Sequence, residues 1–242
     1  MTKAFEVITS EPDSDGTYYD TALVEEYLDG DEYFMNLLHD GQEQSKIVSL
    51  ARYEKIQRDG RASIYRNIRS MALDDPLARE VLPQIRAANV ALGVQVGIND
   101  TEFKMTSRGL RVIEINNRLP GAGTPRMIQK CSGLNCYQES VRLFLGKHTR
   151  SPEEYRFVRN YCVCCLINDH SGQVIGYEGV EEVTNLPSFD DLRLIAEVDR
   201  DWPATRDLAS AWGMVWLVHE DPVQLDRDAE AVHVIMRLQV RA

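Results

Sequence analysis

Apolar and polar residues alternate through residues 102–105 and again through 113–116. This is the period-two pattern of strands, whose successive side chains point to opposite faces. Ile113 and Ile115 then face one way, while Glu114, Asn116 and Arg118 share the other face. Between the runs, Ser107-Arg108-Gly109 has the composition of a three-residue hairpin loop with Gly at its left-handed position. That loop length sets Glu102 opposite Glu114.

Pattern and punctuation assign the rest of the chain. Residues 1–20 show no clear period, and 11–16 read as a loop. A short strand over 23–28 enters a turn at Asp29-Gly30, and a second strand covers 32–39. Asp40-Gly41 turns the chain back through 45–50 as a hairpin. Asp75 and Pro76 start a helix whose core face is Leu77, Val81, Ile85, Ala88 and Leu92, with Gly93 as its stop. Pro83 inside it predicts a kink or a two-part start. Further helices are expected over 124–131 and 135–145, the second with Tyr137, Val141 and Leu145 along one side. Ser151-Pro152 marks a boundary. Beyond it, strands at 161–167, 174–178, 192–198 and 214–219, a helix over 223–231 and a strand-like 234–238 make a small α+β unit.

Composition narrows the function classes. A chain of 242 residues can bury one large core or two modest ones. Its formal charge of −11 argues against a general nucleic-acid binder, which needs a basic face. No apolar run reaches the ~20 residues of a membrane span, and no signal-peptide pattern opens the chain; the expected location is the cytoplasm. Five cysteines do not suggest a secreted disulfide framework. Cys162, Cys164 and Cys165 are too tightly spaced for the usual zinc pairs and read as buried strand residues. His170, His219 and His233 stand isolated.

The chemistry concentrates in the 111–123 stretch. A carboxylate, an amide and a guanidinium on one face, followed by a glycine-rich turn, suit a metal–phosphate site: Glu114 offers a hard oxygen to a divalent cation, and Arg118 can fork onto phosphate oxygens. Glu102 and Glu114 facing each other repel unless a cation lies between them. A solvated hairpin with splayed carboxylates is the alternative.

The run Glu114-Ile115-Asn116-Asn117-Arg118, with Glu102 one hairpin earlier, resembles the metal and phosphate signature of the ATP-grasp superfamily. Upstream, Leu23-Val24-Glu25-Glu26-Tyr27-Leu28-Asp29-Gly30-Asp31-Glu32 is similar to that superfamily's adenine hinge and ribose-binding segment. Arg52-Tyr53-Glu54-Lys55, with Gly60 and Tyr65, resembles a segment beside the substrate pocket of its amino-acid ligases; a solvated hairpin is the bland alternative. The stretch 172–183 resembles the C-terminal domain of the same branch.

The resemblance implies an α+β fold: an ATP-grasp C-terminal subdomain over 1–150, an antiparallel sheet with helices, then a small α+β domain over 151–242. The family's N-terminal domains have no counterpart before Leu23, so the chain reads as the C-terminal part of a ligase. By resemblance, Glu25, Glu26, Tyr27 and Leu28 meet the adenine and Glu32 the ribose. Glu102, Glu114 and Asn116 hold Mg2+, with Mn2+ as a substitute. Arg118 stabilises the transferring phosphoryl group, and Gly121, Gly123 and Lys55 border the substrate. The implied reaction joins a carboxylate, through an acyl phosphate, to an amine such as an amino acid at the expense of ATP. A homodimer, or an N-terminal half supplied in trans, is the implied partner. The other function class is an inactive remnant acting as a binding module, or half of a split enzyme.

Overall fold

Strand β1 (Asp31–Asp40) is the hub of the structure. Both its edges are filled, by β2 (Lys46–Arg58) on one side and β4 (Val96–Thr106) on the other, each antiparallel. The computed structural model describes residues 2–12, 16–41, 45–58, 61–147 and 155–241, with backbone only at 2–4, 58 and 61–63. Gly60, the middle of the loop at 11–16 and the boundary at 151–152 lie outside the described residues.

Alternation along β1 sends its odd positions Tyr33, Met35 and Leu37 to one face, where they pack with Leu50 and Phe103. Helix α2 (Pro76–Ala91) covers that face with Ala78, Val81 and Ile85. Asp75 caps it as expected, its carboxylate accepting from the Leu77 amide at 2.8 Å. The helix runs unbroken through Pro83. Its fourth buried position is Asn89, not Ala88, and Leu92 is exposed. Asn89 is held there by its amide, which donates to the Ile85 carbonyl at 2.9 Å.

Hairpin β4–β5, with β5 spanning Gly109–Asn116, and strand β3 (Arg61–Ser70) extend the sheet on either side of β1 and β2. The sheet then crosses the expected boundary: β3 pairs with β6 (Asn160–Leu166) through Asn67↔Cys164, Ile68↔Val163 and Arg69↔Cys162. Strands β10 (Gly213–His219) and β8 (Phe189–Leu194) complete eight strands in the order β5-β4-β1-β2-β3-β6-β10-β8. Strands β7 (Gly172–Glu178), β9 (Asp201–Trp202) and β11 (Arg237–Arg241) form a separate three-stranded sheet. The fold class is α+β with an antiparallel sheet and helices, as the resemblance implies.

Helix α6 (Pro222–Ile235) packs beside β6 and β10, on the same sheet face as α2, and Arg66 and Arg69 tie it to β3 through Glu230 and Asp226. Helices α3 (Thr124–Ser132) and α4 (Cys136–Phe144) cover part of the opposite face. There Phe34, Ile68, Met127, Tyr161 and Trp216 form one cluster spanning both sequence halves.

The structure departs from these expectations, or adds to them, at five places. Residues 23–28 form no strand, because both edges of β1 are already paired. Residues 2–10 are a helix, α1, whose exposed Phe5, Val7 and Ile8 have no core to impose a period. The stripe Tyr137, Val141 and Leu145 of α4 faces solvent, and Cys136, Glu139 and Leu143 are buried instead. In the last unit, 234–235 stay helical and the strand begins at Arg237, while β8 lies at 189–194 and a short helix, α5 (Val180–Thr184), interrupts the 172–183 stretch. The hairpin register is reached by another route, described below. The cysteines are free and buried, and burial pushes the thiols of Cys131, Cys136 and Cys165 up to about 12.

A candidate nucleotide and metal site

The sheet face that α3 and α4 leave open carries the candidate chemistry. Glu102 pairs with Glu114 across β4 and β5, and Asp100 with Asn116. The turn, however, has only Ser107 and Arg108 outside the ladder, since Thr106 pairs with Gly109, whose φ is +85°. A symmetric continuation would set Glu102 against Ile113. Instead a β-bulge at Ile113 takes up one residue, so Phe103 meets Val112 and Glu102 meets Glu114. Val112 therefore joins the buried α2 face while Glu114 joins Glu102 on the open one.

Asp100, missed in the sequence, and Tyr53, named there only within the 52–55 segment, complete this wall. Asp100 is two positions before Glu102 on the same face and is buried at 4% exposure. It accepts from Asn36 Nδ2 at 2.8 Å, and Arg118 Nη1 lies 3.8 Å from its other oxygen. Burial raises its carboxyl to about 6, against the opposing pull of Asn36 and Arg118 and with the help of Glu114. Tyr53 Oη donates to Glu102 Oε1 at 2.9 Å. Burial also raises Glu102, and Asp100, Glu114 and Glu32 add to the shift while Tyr53 opposes it. Asn116 Nδ2 donates to Glu114 Oε1 at 2.6 Å.

Farther along the face, Glu32 sits at 7% exposure in a cationic grip. Lys55 Nζ reaches its Oε1 at 2.7 Å, Lys104 Nζ its Oε2 at 3.5 Å, and Tyr65 Oη donates at 3.4 Å. Lys55 also lies 4.0 Å from the centre of the Tyr65 ring. Lys104 donates to the Leu28 carbonyl at 3.0 Å, which anchors the otherwise irregular 23–30 segment to β4. Alternation from Glu102 would have found Lys104 as it would Asp100.

The structure thus brings Glu25, Glu26, Tyr27, Leu28, Glu32, Glu102 and Glu114 around one open cleft of about 580 Å³. Lys55 lines an adjoining hollow with Tyr27, Glu32 and Lys104. Glu25 and Tyr27 are exposed, and Glu26 pairs with Arg108 at 2.5 Å. Arg118, Asn116, Gly121 and Gly123 lie beyond this cleft, at the end of β5 and in the turn that follows. Gly123 has φ +72°, and a Cβ there would come within 2.8 Å of Trp216 Nε1. What approaches its backbone is therefore an indole, which donates to the Ala122 carbonyl at 2.9 Å. Gly121 has open space around it.

The donor set fits magnesium. Its candidate ligands are all oxygens, and Asp100, Glu102 and Glu114 crowd negative charge: the carboxyls of Asp100 and Glu102 are raised, chiefly by burial, and Glu114 adds to both shifts. Among the described residues no three His, Cys, Asp or Glu side chains converge into a ready cage.

No family model matches the sequence. An uncharacterised protein of Sinorhizobium fredii, y4rH, is 25% identical over 175 residues, 71% of this chain and 34% of that protein. The 3-methyl-D-ornithine–L-lysine ligase of Methanosarcina barkeri is 30% identical over 159 residues, 65% of this chain and 39% of the ligase. Among solved structures, the L-amino acid ligase of Bacillus licheniformis superposes with a TM-score of 0.76 at 18% identity, over 89% of this chain and 53% of that one. The phosphoribosylglycinamide synthetase of Anaerococcus prevotii gives 0.70 at 10% identity, over 89% and 55%. The chain thus spans about half the length of these solved structures and less of the two sequence relatives. Among the described residues no helix is long and apolar enough to cross a membrane. The chain thus shares the fold of these ligase and synthetase structures over about nine-tenths of its length.

Proposed function

We propose that this chain supplies the nucleotide- and metal-binding wall of an ATP-dependent carboxylate–amine ligase. The observation that carries the reading is the cross-strand pair Glu102–Glu114, set on the same open face as the paired Glu32, Lys55 and Lys104. The adenine end of ATP lies along Glu25, Glu26, Tyr27 and Leu28, with Glu32 accepting from the ribose hydroxyls. Glu102, Glu114 and Asn116 would hold Mg2+, or Mn2+ in its place, which when bound neutralises phosphate charge. Asp100 and Asn36 orient Arg118 from below, and Tyr53 fixes the Glu102 carboxylate.

The proposed reaction has two steps. A carboxylate oxygen of the first substrate attacks the γ-phosphorus of ATP, and the bond to the bridging oxygen of ADP breaks, leaving an acyl phosphate. The amine of the second substrate adds to the acyl carbon and loses a proton, and phosphate departs. Arg118 offers its guanidinium to the charge that gathers first on the phosphoryl oxygens and then on the tetrahedral intermediate. An amino acid is the amine favoured here, on the strength of the ligase relatives. Lys55 is engaged by Glu32, so it serves substrate binding only by releasing that contact.

Calorimetric titration of the protein with ATP, with and without magnesium, tests the site. Magnesium-dependent binding that Glu114→Ala removes is expected; binding that is indifferent to both overturns the reading. Phosphate release with ATP and pairs of amino acids then tests the reaction.

A further inference from the structure

Helix α4 buries Cys136, Glu139 and Leu143 and leaves its other side uncovered. On that side Tyr137, Val141, Phe144 and Leu145 are each more than half exposed. Their spacing puts all four along one side of the helix, a stripe about 12 Å long at the usual rise per residue. The Phe144 ring lies over the backbone at Gly97, where an added Cβ would come within 3.5 Å of it. That holds one end of the stripe against β4. Single exposed apolar residues are ordinary, but a contiguous stripe with two aromatic rings marks a contact surface.

Two features select what covers it. The first is order. Tyr137 lies four residues before Val141, while Phe144 and Leu145 lie three and four after it. The stripe therefore reads nearly the same in both directions. Two α4 helices laid antiparallel about a two-fold axis at Val141 put Tyr137 of each copy against Phe144 and Leu145 of the other. Such self-complementarity is what an isologous contact requires. The second feature is charge. The chain carries a formal −11, so two copies repel at a distance. Across residues 133–147 the sole carboxylate is Glu139, which is buried and paired with Arg142 at 3.0 Å. An acidic chain can meet itself here without setting carboxylate against carboxylate. Antiparallel helices also bring opposite dipole ends side by side.

The geometry points to a homodimer joined through antiparallel α4 helices, with the two Val141 side chains meeting at the axis. The contact is small. Its four side chains offer on the order of 400 Å² per copy, about half the share of a standard-sized interface. The dimer is accordingly weak, with a dissociation constant on the order of 100 µM. It owes nothing to the nucleotide cleft and stands or falls separately from that reading.

Sedimentation velocity of the full chain from about 5 to 500 µM brackets that constant. Reversible dimerisation that added salt strengthens is expected, because salt screens the repulsion of like-charged copies and leaves an apolar contact in place. Val141→Glu and Val141→Lys each set like charges at the axis and should weaken association by about tenfold or more. Since Val141 is exposed, both should keep the parent's circular dichroism and melting temperature. An equimolar mixture of the two variants should regain at least the parent's association, because unlike charges then meet. A monomer at every concentration, association that salt weakens, indifference to both variants, or a mixture no better than either alone would overturn the proposal. Association lost in Phe5→Ser and kept in Val141→Glu would also overturn it, by assigning the contact to the exposed apolar face of α1.

Discussion

Glu102 and Glu114 face each other across β4 and β5 because Ile113 is bulged out of the ladder between them. The pair is a stored repulsion, eased in part by the Tyr53 hydroxyl and by the raised carboxyl of Glu102. Glu102→Gln keeps an acceptor for Tyr53 and removes the repulsion. In EDTA it should stabilise the fold by about 0.5 kcal/mol, the scale of one cross-strand charge pair. In magnesium the gain should vanish or reverse, since the parent alone then offers two carboxylates. Urea unfolding under the two conditions measures both.

Asp100 makes stability depend on pH in a definite direction. Its carboxyl rises from 3.8 to about 6 in the folded protein, so between those values the native state holds a proton that the unfolded chain has lost. Unfolding then releases that proton, and stability falls as pH rises through this window. Asp100→Asn keeps the Asn36 contact and removes the titration. The variant should gain on the parent by on the order of 1–3 kcal/mol from the acid to the neutral side of the window. The same substitution should free Arg118, seen as weaker ATP binding. Unfolding curves at a series of pH values give the first result; a difference that does not grow with pH would contradict it.

The glycine turn separates packing from binding. Gly123→Ala puts a side chain at φ +72° and against Trp216, and should cost about 1–3 kcal/mol. Gly121→Ala meets nothing within 4 Å and should stay within about 0.5 kcal/mol of the parent. If Gly121 borders a substrate, its variant loses ligand affinity without losing stability. Thermal unfolding and ATP titration of both variants distinguish the roles.

Lys104 joins the hinge to the sheet through the Leu28 carbonyl and Glu32. Lys104→Met should leave the sheet intact and release residues 23–30. Faster amide hydrogen exchange in that segment alone is the expected outcome, together with weaker nucleotide binding. Global acceleration of exchange would instead mean that Lys104 supports the core.

The sequence carried the elements whose signals are local. Asp75 with Pro76 started α2, Gly109 turned the hairpin, and alternation named Glu32, Glu102 and Glu114 as residues of strands. Its linear motifs named Glu25, Glu26, Tyr27, Leu28, Glu32, Glu102 and Glu114, which the structure sets around one cleft. It misplaced the side chains whose exposure depends on a neighbour. Tyr137, Val141 and Leu145 make an apolar stripe, yet the sheet meets α4 on the side of Cys136 and Leu143. Residues 23–28 are apolar enough for a strand, yet no free ladder edge exists beside β1.

What the sequence determined by itself, then, was which residue types recur at strand or helix spacing and where the chain turns, since backbone conformation responds to near neighbours. Tertiary structure alone decided the rest. Asp100 acquires its raised carboxyl from burial, which outweighs the opposing pull of Asn36 and Arg118 from other strands and turns. Gly123 is needed because Trp216, more than ninety residues later, packs on it through the continuation of the sheet from β3 into β6. Glu32 is held by Lys55 and Lys104 from the two strands flanking β1. Such relations depend on strand order and on one bulged residue. A single-residue slip would turn every side chain to the other face, and period-two alternation reads the same in either register.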